Sequence, residues 1–200
     1  MKYLGYPIGS PASSVAQFRF TAAEFRRLIP EGVKGNAMSL DLNAFQQAGG
    51  KLILWHAWAD QSIPPTEMLD CYQRLSEQSG SLRQTRSFVR LFMVPMLFHC
   101  GFFGGYRAMN SNFDPFPALV NWVESDHAPD RIVSEQRDAQ NVLVRRRPVF
   151  HYTERAQYIG HGSIDDASNF VAAPPLTPPH YNVIHWLGED LYEMPGPVAP

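Results

Sequence analysis

The sequence predicts an α/β domain built on a mostly parallel sheet flanked by helices, and three observations carry that prediction. Lys51 to Trp55 reads KLILW, a near-continuous apolar run typical of a strand covered on both faces. Thr66 to Gln78 repeats Met68, Tyr72 and Leu75 at helical spacing, and Phe88 to Val94 is a second apolar strand. A helix opening at Asp114 completes the order strand, helix, strand, helix, which is a βαβ unit.

Two hundred residues suit one domain or a large piece of one. A hydrophobic share of 44% supports a buried core, and 12% aromatic residues argue against disorder. The net charge of −2 gives no basic face, so no nucleic-acid partner is expected. Arg145-Arg146-Arg147 reads as a solvated surface stretch. Two cysteines, Cys71 and Cys100, are too few for a disulfide framework, and whether they pair is not readable from spacing. The opening MKYLGYPIGSPASS lacks the apolar region of a signal peptide, and no apolar run is long enough to span a membrane.

Residues 1–17 are rich in Gly, Pro, Ser and Ala and read as an irregular lead-in. Thr21 and Glu24 have capping-box spacing, and Phe25, Leu28 and Ile29 share a face, so a short helix is expected to Ile29, with Pro30 to Gly35 breaking it. Leu40 to Ala48 is a second short helix stopped by Gly49-Gly50. His56 to Pro65 is the loop after the first strand. Pro64-Pro65 open the helix that Gly80 ends, and Ser79 to Ser87 is a polar loop. After the second strand, Pro95 to Asn112 is a long loop rich in aromatics and glycine. Asp114 caps the next helix, with Pro115 at its first position and Phe116, Leu119, Val120 and Val123 as its apolar stripe. Arg131 to Ser134 and Val142 to Val144 read as short strands, and Ser163 and Asp166 have capping spacing. Residues 172–200 form a proline-rich tail expected to be peripheral, packing Trp186 and Tyr192 at most. The chain thus reads as a lead-in at 1–36, an α/β part at 37–171 and the tail.

Open α/β sheets bind ligands beyond the carboxyl ends of their strands. Asp60 lies five residues past Trp55, and His99 lies five past Val94. A hydrolytic nucleophile needs a base to take its proton and a carboxylate to hold that base in the right tautomer. Asp before His on successive strand ends fits the last two places of the order Ser, Asp, His. Taken singly, an Asp in WADQSIP is ordinarily a turn former and a His after an apolar strand is ordinarily structural. Their paired placement is what makes them catalytic candidates. His56 with Asp60 and His99 could bind a metal, but packing or a hydrogen bond from the strand end explains His56 more simply. Capping explains Asp165 and Asp166 more simply than a polar site with His161. Trp55 and Trp58 could stack on a phenolic ring or serve as packing.

Four segments then appear in a fixed order: AFQQAGGKLILWHAWADQSIPP, VRLFMVPMLFHC, FPALVNWVESDHAPDRI and AQYIGHGSIDDASNF. They resemble the tannase and feruloyl esterase family, whose pattern runs aF…GGKLil-H-aD..iPp, RlFmVPg..HC, F…alv.WVe.g.aPd.i and ya.y.G.gsi.dA.nF. The resemblance covers Asp41 to Phe170. It implies the C-terminal half of an α/β-hydrolase sandwich that cleaves carboxylic esters of aromatic acids, with Asp60 as triad acid and His99 as general base. It also implies that Cys100 bonds a cysteine preceding the nucleophilic serine. Residues 1–59 hold no cysteine and no GxSxG pattern, and Ser10, Ser13, Ser14 and Ser39 have no strand-turn-helix context. The serine is therefore expected outside these residues. The family's lid with its calcium site has no counterpart, so no metal and no cofactor are expected. Phe98 stands where the family has a small residue. Family members are often secreted.

Three expectations remain open together. One is an ester hydrolase acting on a small aromatic ester once an N-terminal half completes it. Another is an inactive remnant or binding module whose exposed half-sheet favours self-association or a partner chain. The third uses Cys71 or Cys100 as nucleophile beside His99, although adjacent side chains at 99 and 100 diverge.

Overall fold

A computed structural model of the chain describes residues 18–35, 39–99 and 110–175. These residues fall into two units, one of 18–35 with 39–40 and one of 41–99 with 110–175. In the first, α1 spans Ala22–Lys34 and begins where expected: the Thr21 hydroxyl oxygen accepts the Glu24 N–H at 3.2 Å. The expected break at Pro30 does not occur. Proline's fixed φ is itself helical, so the chain continues at the loss of one donor and stops at Gly35, whose N–H reaches the Gly32 carbonyl. Phe25 is exposed rather than part of a buried face.

In the second unit the short helix is α2 (Asn43–Gln47), trimmed at its start because Asp41 Oδ1 already accepts the Asn43 N–H at 3.1 Å. Strand β1 (Leu52–Ala57) follows, then helix α3 (Pro65–Gln78), then strand β2 (Val89–Val94). β1 and β2 are parallel and in register from Leu52 opposite Val89 to Ala57 opposite Val94. The crossover between them also holds α4 (Leu82–Arg86), within the stretch expected as a polar loop from Ser79 to Ser87. Its signal was present: Ser81 accepts the Gln84 N–H at 3.2 Å, the same spacing as a capping box.

The other described strands form two further sheets, both antiparallel, which corrects the expectation of a mostly parallel one. Among the described residues parallel pairing is confined to β1 and β2. Strand β3 (Asn110–Asn112), assigned to a loop from sequence, pairs with β4 (Arg131–Arg137), and β4 pairs with β5 (Leu143–Phe150). Strand β6 (Arg155–Tyr158) pairs with β7 (Phe170–Ala173). Parallel neighbours need a crossover of a dozen or more residues. Between β4 and β5 there is only a tight turn, where Asp138 Oδ1 accepts the N–H groups of Gln140 and Val142, so the chain can only double back. His151, just past β5, bridges to Phe92 of β2, and the Tyr152 N–H donates to the Leu91 carbonyl at 2.7 Å.

The core that carries the site holds Ala57, Phe92, Val94, Leu97, Phe113, Ile132 and Val149. Helix α3 seats Tyr72 and Leu75, and the Tyr72 hydroxyl donates to the Val89 carbonyl at 3.3 Å. Helix α5 (Phe116–Ser125) differs from its sequence reading. Asp114 does accept the Phe116 N–H at 3.0 Å, but Trp122 is the buried residue while Phe116 and Val123 are 68% and 61% exposed. Lys51 Nζ and the Arg90 guanidinium stand 5.4 and 5.9 Å from the Trp122 ring, so the cations cover its face. No helix among the described residues is long and apolar enough to cross a membrane.

Candidate active site

The two catalytic candidates sit on loops joined to each other before either reaches its side chain. Beyond the last paired residues, the Trp58 N–H donates to the Val94 carbonyl at 3.0 Å, and the Ala59 N–H donates to the Leu97 carbonyl at 3.1 Å. Leu97 is buried in the core and anchors the second loop. Pro95 and Met96 turn the chain between these two bonds, with Met96 at a left-handed φ of 59°. The loops therefore leave the sheet as one ribbon.

At the end of that ribbon Asp60 uses its two oxygens differently. Oδ1 accepts the N–H groups of Ser62 and Ile63 at 2.8 and 2.9 Å, closing an Asx-type turn that leads into α3. Oδ2 lies 3.0 Å from His99 Nδ1. One Asp60 oxygen thus closes the turn and the other faces the His99 ring. Gln61 adds a tie that sequence reasoning missed: its Oε1 accepts the backbone N–H of His99 at 3.4 Å.

Burial is the largest single influence on the Asp60 carboxyl and pushes its pKa up. The hydrogen bonds from Ile63, Ser62 and His99, with the imidazole's charge, outweigh it and lower the pKa to about 2. The group is a carboxylate at neutral pH. Its side chain is 8% exposed, against 39% for His99, so the ring is open to an incoming group while its orienting acid is shielded. A carboxylate only accepts, which puts the proton on Nδ1 and leaves the Nε2 lone pair for a substrate or nucleophile proton.

The remaining sequence candidates are dispersed. His56 Nδ1 lies 2.9 Å from the Ala57 carbonyl oxygen, a local hydrogen bond at the strand end. Trp55 packs on Phe113 with ring centroids 5.9 Å apart, and both Trp55 and Trp58 stay partly exposed. Asp166 accepts the Ser168 N–H at 2.9 Å, and those Ser168 bonds hold its carboxyl below the usual range. Asp165 takes Arg145 at 2.6 Å. Arg145 to Arg147 belong to strand β5 and are paired rather than merely solvated: Arg146 faces Glu135, and Arg147 lies over the Phe170 ring at 4.8 Å. Cys100 lies outside the described residues, as do Ser10, Ser13 and Ser14. Ser39 is exposed and belongs to the first unit. Among the described residues no three His, Cys, Asp or Glu side chains gather as a metal site would require.

Comparison with known proteins places the chain in a family. The chain is 34% identical to an uncharacterized esterase of Xanthomonas campestris pv. campestris, over 68% of its own length and 28% of the relative's. It is 38% identical to the mono(2-hydroxyethyl) terephthalate hydrolase of Piscinibacter sakaiensis, over 70% of its length and 22% of that protein's. The chain thus spans about a quarter of these relatives. Among solved structures it superposes on an esterase from Aspergillus oryzae with a TM-score of 0.62, at 22% identity, covering 78% of this chain and 34% of that one. It superposes on feruloyl esterase B of the same organism at 0.59. The fold is accordingly that of the α/β-hydrolase-like esterases. Residues 20–173 match the family described as tannase and feruloyl esterase, and the chain belongs to that family.

Proposed function

We propose that the chain supplies the acid and base of a carboxylic ester hydrolase of the tannase and feruloyl esterase type, acting on esters of aromatic acids. The observation that carries this reading is the 3.0 Å contact of His99 Nδ1 with an ionised, shielded Asp60. His99 takes the proton of a serine hydroxyl at Nε2 as the serine attacks the ester carbonyl. Asp60 holds the ring and stabilises the imidazolium that forms, and His99 then protonates the departing alcohol. Water repeats the cycle to release the acid. The serine comes from outside these 200 residues, because residues 1–59 hold no Cys-Ser pair and no GxSxG elbow. The family membership and the names of the relatives support an aromatic ester as substrate.

A fluorophosphonate probe tests this. The isolated chain should not label. Combined with the N-terminal part of a relative, it should give a labelled serine on that part, and His99→Ala should abolish the label. Labelling of the isolated chain that disappears in His99→Ala would put the nucleophile inside it and refute the external serine.

A second reading, a binding module, is favoured by the exposed Phe116 and Val123 of α5, and by β1, which among the described residues pairs along one edge only. Such a surface suits self-association. Light scattering across a concentration series, with Val123→Lys as the comparison, tests it: a dimer that the substitution dissolves supports the module, and a monomer throughout argues against it.

A further inference from the structure

A pocket of about 400 Å³ opens where α4, the start of β2 and the turn after β5 meet. Arg83, Arg86 and Arg90 line it together with Asp130, His151 and Glu154. Arg90 is the second residue of β2, whereas His99 lies five residues beyond the other end of that strand, so this pocket is separate from the Asp60–His99 pair.

Its charges do not balance. Arg90 Nη1 meets Asp130 Oδ1 at 3.3 Å, but the Asp130 side chain is 78% exposed and its charge is spent largely on water. His151 Nε2 stands 3.8 Å from Asp130 and 3.7 Å from Glu154. Arg86 Nη2 donates to the neutral Tyr152 carbonyl at 2.7 Å. Arg83 has no ion-pair partner among the described residues. The Nε atoms of Arg86 and Arg90 are buried without a hydrogen-bond acceptor. Three guanidinium groups thus face two carboxylates, and the chain leaves donors on two of them unsatisfied. His151 feels the result. Burial, and then the charges of Arg86 and Arg90, hold its imidazole pKa below the ordinary value despite Glu154.

We propose that this pocket binds a phosphate-type oxyanion, held by the guanidinium groups of Arg83, Arg86 and Arg90. Guanidinium forks match the paired oxygens of phosphate, and a tetrahedral anion offers oxygens to more than one fork at once, where a carboxylate satisfies one. The site does not depend on the ester-hydrolase reading, and neither stands or falls with the other.

Calorimetric titration of the full chain at low ionic strength tests it. Inorganic phosphate should bind one to one, about tenfold or more tighter than acetate, and Arg83→Gln should weaken it by about tenfold. Arg86→Gln removes the tie to Tyr152 and can unfold the junction, so the exposed Arg83 is the informative variant, with circular dichroism to show that it folds. Saturating phosphate should also raise the His151 titration midpoint read by NMR, since an added negative charge favours the imidazolium. A phenyl phosphate arm separates two sources of the ligand. Equal affinity points to a phosphate carried on a larger molecule and much weaker affinity to the free ion, and both uphold the site. No binding at millimolar phosphate, equal binding of acetate, or binding untouched by Arg83→Gln would overturn it.

Discussion

His99 Nδ1 and Asp60 Oδ2 are 3.0 Å apart, while the other Asp60 oxygen is held by the N–H groups of Ser62 and Ile63. This division predicts a clean phenotype for Asp60→Asn. An asparagine oxygen still accepts from Ser62 and Ile63, so the turn survives, but its NH₂ now faces the ring. Nδ1 becomes an acceptor and the proton moves to Nε2, the nitrogen that must be bare to act as base. In the isolated chain, imidazole ¹⁵N shifts of His99 should report that exchange. With the nucleophile supplied, ester hydrolysis should fall by roughly four orders of magnitude. Unchanged shifts would mean that the bond does not set the tautomer.

The same geometry sets a pH window. Asp60 titrates near 2 in the folded chain and at 3.8 when its environment is lost. A depressed carboxylate contributes stability that is fully present above 3.8 and disappears as pH falls through about 2. Carbonyl ¹³C titration should place the Asp60 midpoint well below the ordinary carboxylate value of 3.8. Denaturation between pH 4.5 and 2 should be shallower in Asp60→Asn than in the parent chain. Equal slopes would show that the three hydrogen bonds do not favour the ionised form.

The pair was legible in the sequence because the signal is local: two apolar runs, each followed five residues later by a group with catalytic chemistry. The parallel pairing of β1 and β2 followed from the helical segment between them. What was hidden rests on contacts between distant segments. The bond from the His99 N–H to Gln61 exists only because the two loops are tied at Trp58 and Ala59. Strand β5 was under-read because its arginines resemble a solvated charge run. In the structure they sit across from partners on β4, with Glu135 opposite Arg146 in register, and cross-strand charge pairs of this kind stabilise a sheet that periodicity alone does not reveal. Strands β6 and β7 rest on a distant pairing as well: Tyr158 and Phe170 pair across them with ring centroids 5.6 Å apart, yet eleven residues of turn-rich sequence lie between the two.

His151 predicts a second pH effect on stability, of the same sign as that of Asp60 but at higher pH. It is 6% exposed and packed among Arg86 and Arg90, with Asp130 and Glu154 at the rim, and its folded pKa lies below the unfolded value of 6.5. The unfolded chain therefore takes up the proton first as pH falls. Stability contributed by the neutral ring is complete above 6.5 and declines as pH drops toward the folded midpoint. Chemical denaturation should show a weaker chain at pH 5 than at pH 7.5, and His151→Gln should flatten that difference. A flat profile in the parent chain would place the imidazole in a milder environment than its neighbours imply.

Met96 supplies the last prediction. The family pattern carries glycine after VP, and this chain carries methionine there, at a φ of 59° and 74% exposed. A residue with a Cβ in the left-handed region costs about 1–2 kcal/mol, and the exposed side chain returns little of that by burial. Glycine loses more backbone entropy on folding, which offsets part of the gain. Met96→Gly should therefore stabilise the chain by about 0.5–1 kcal/mol and raise its thermal midpoint by about 1–4 °C. The same turn aims Leu97 into the core and His99 at Asp60, so the His99 ¹⁵N shifts should stay unchanged in the variant. A lower midpoint would mean that the methionine side chain makes contacts worth more than the strain it causes.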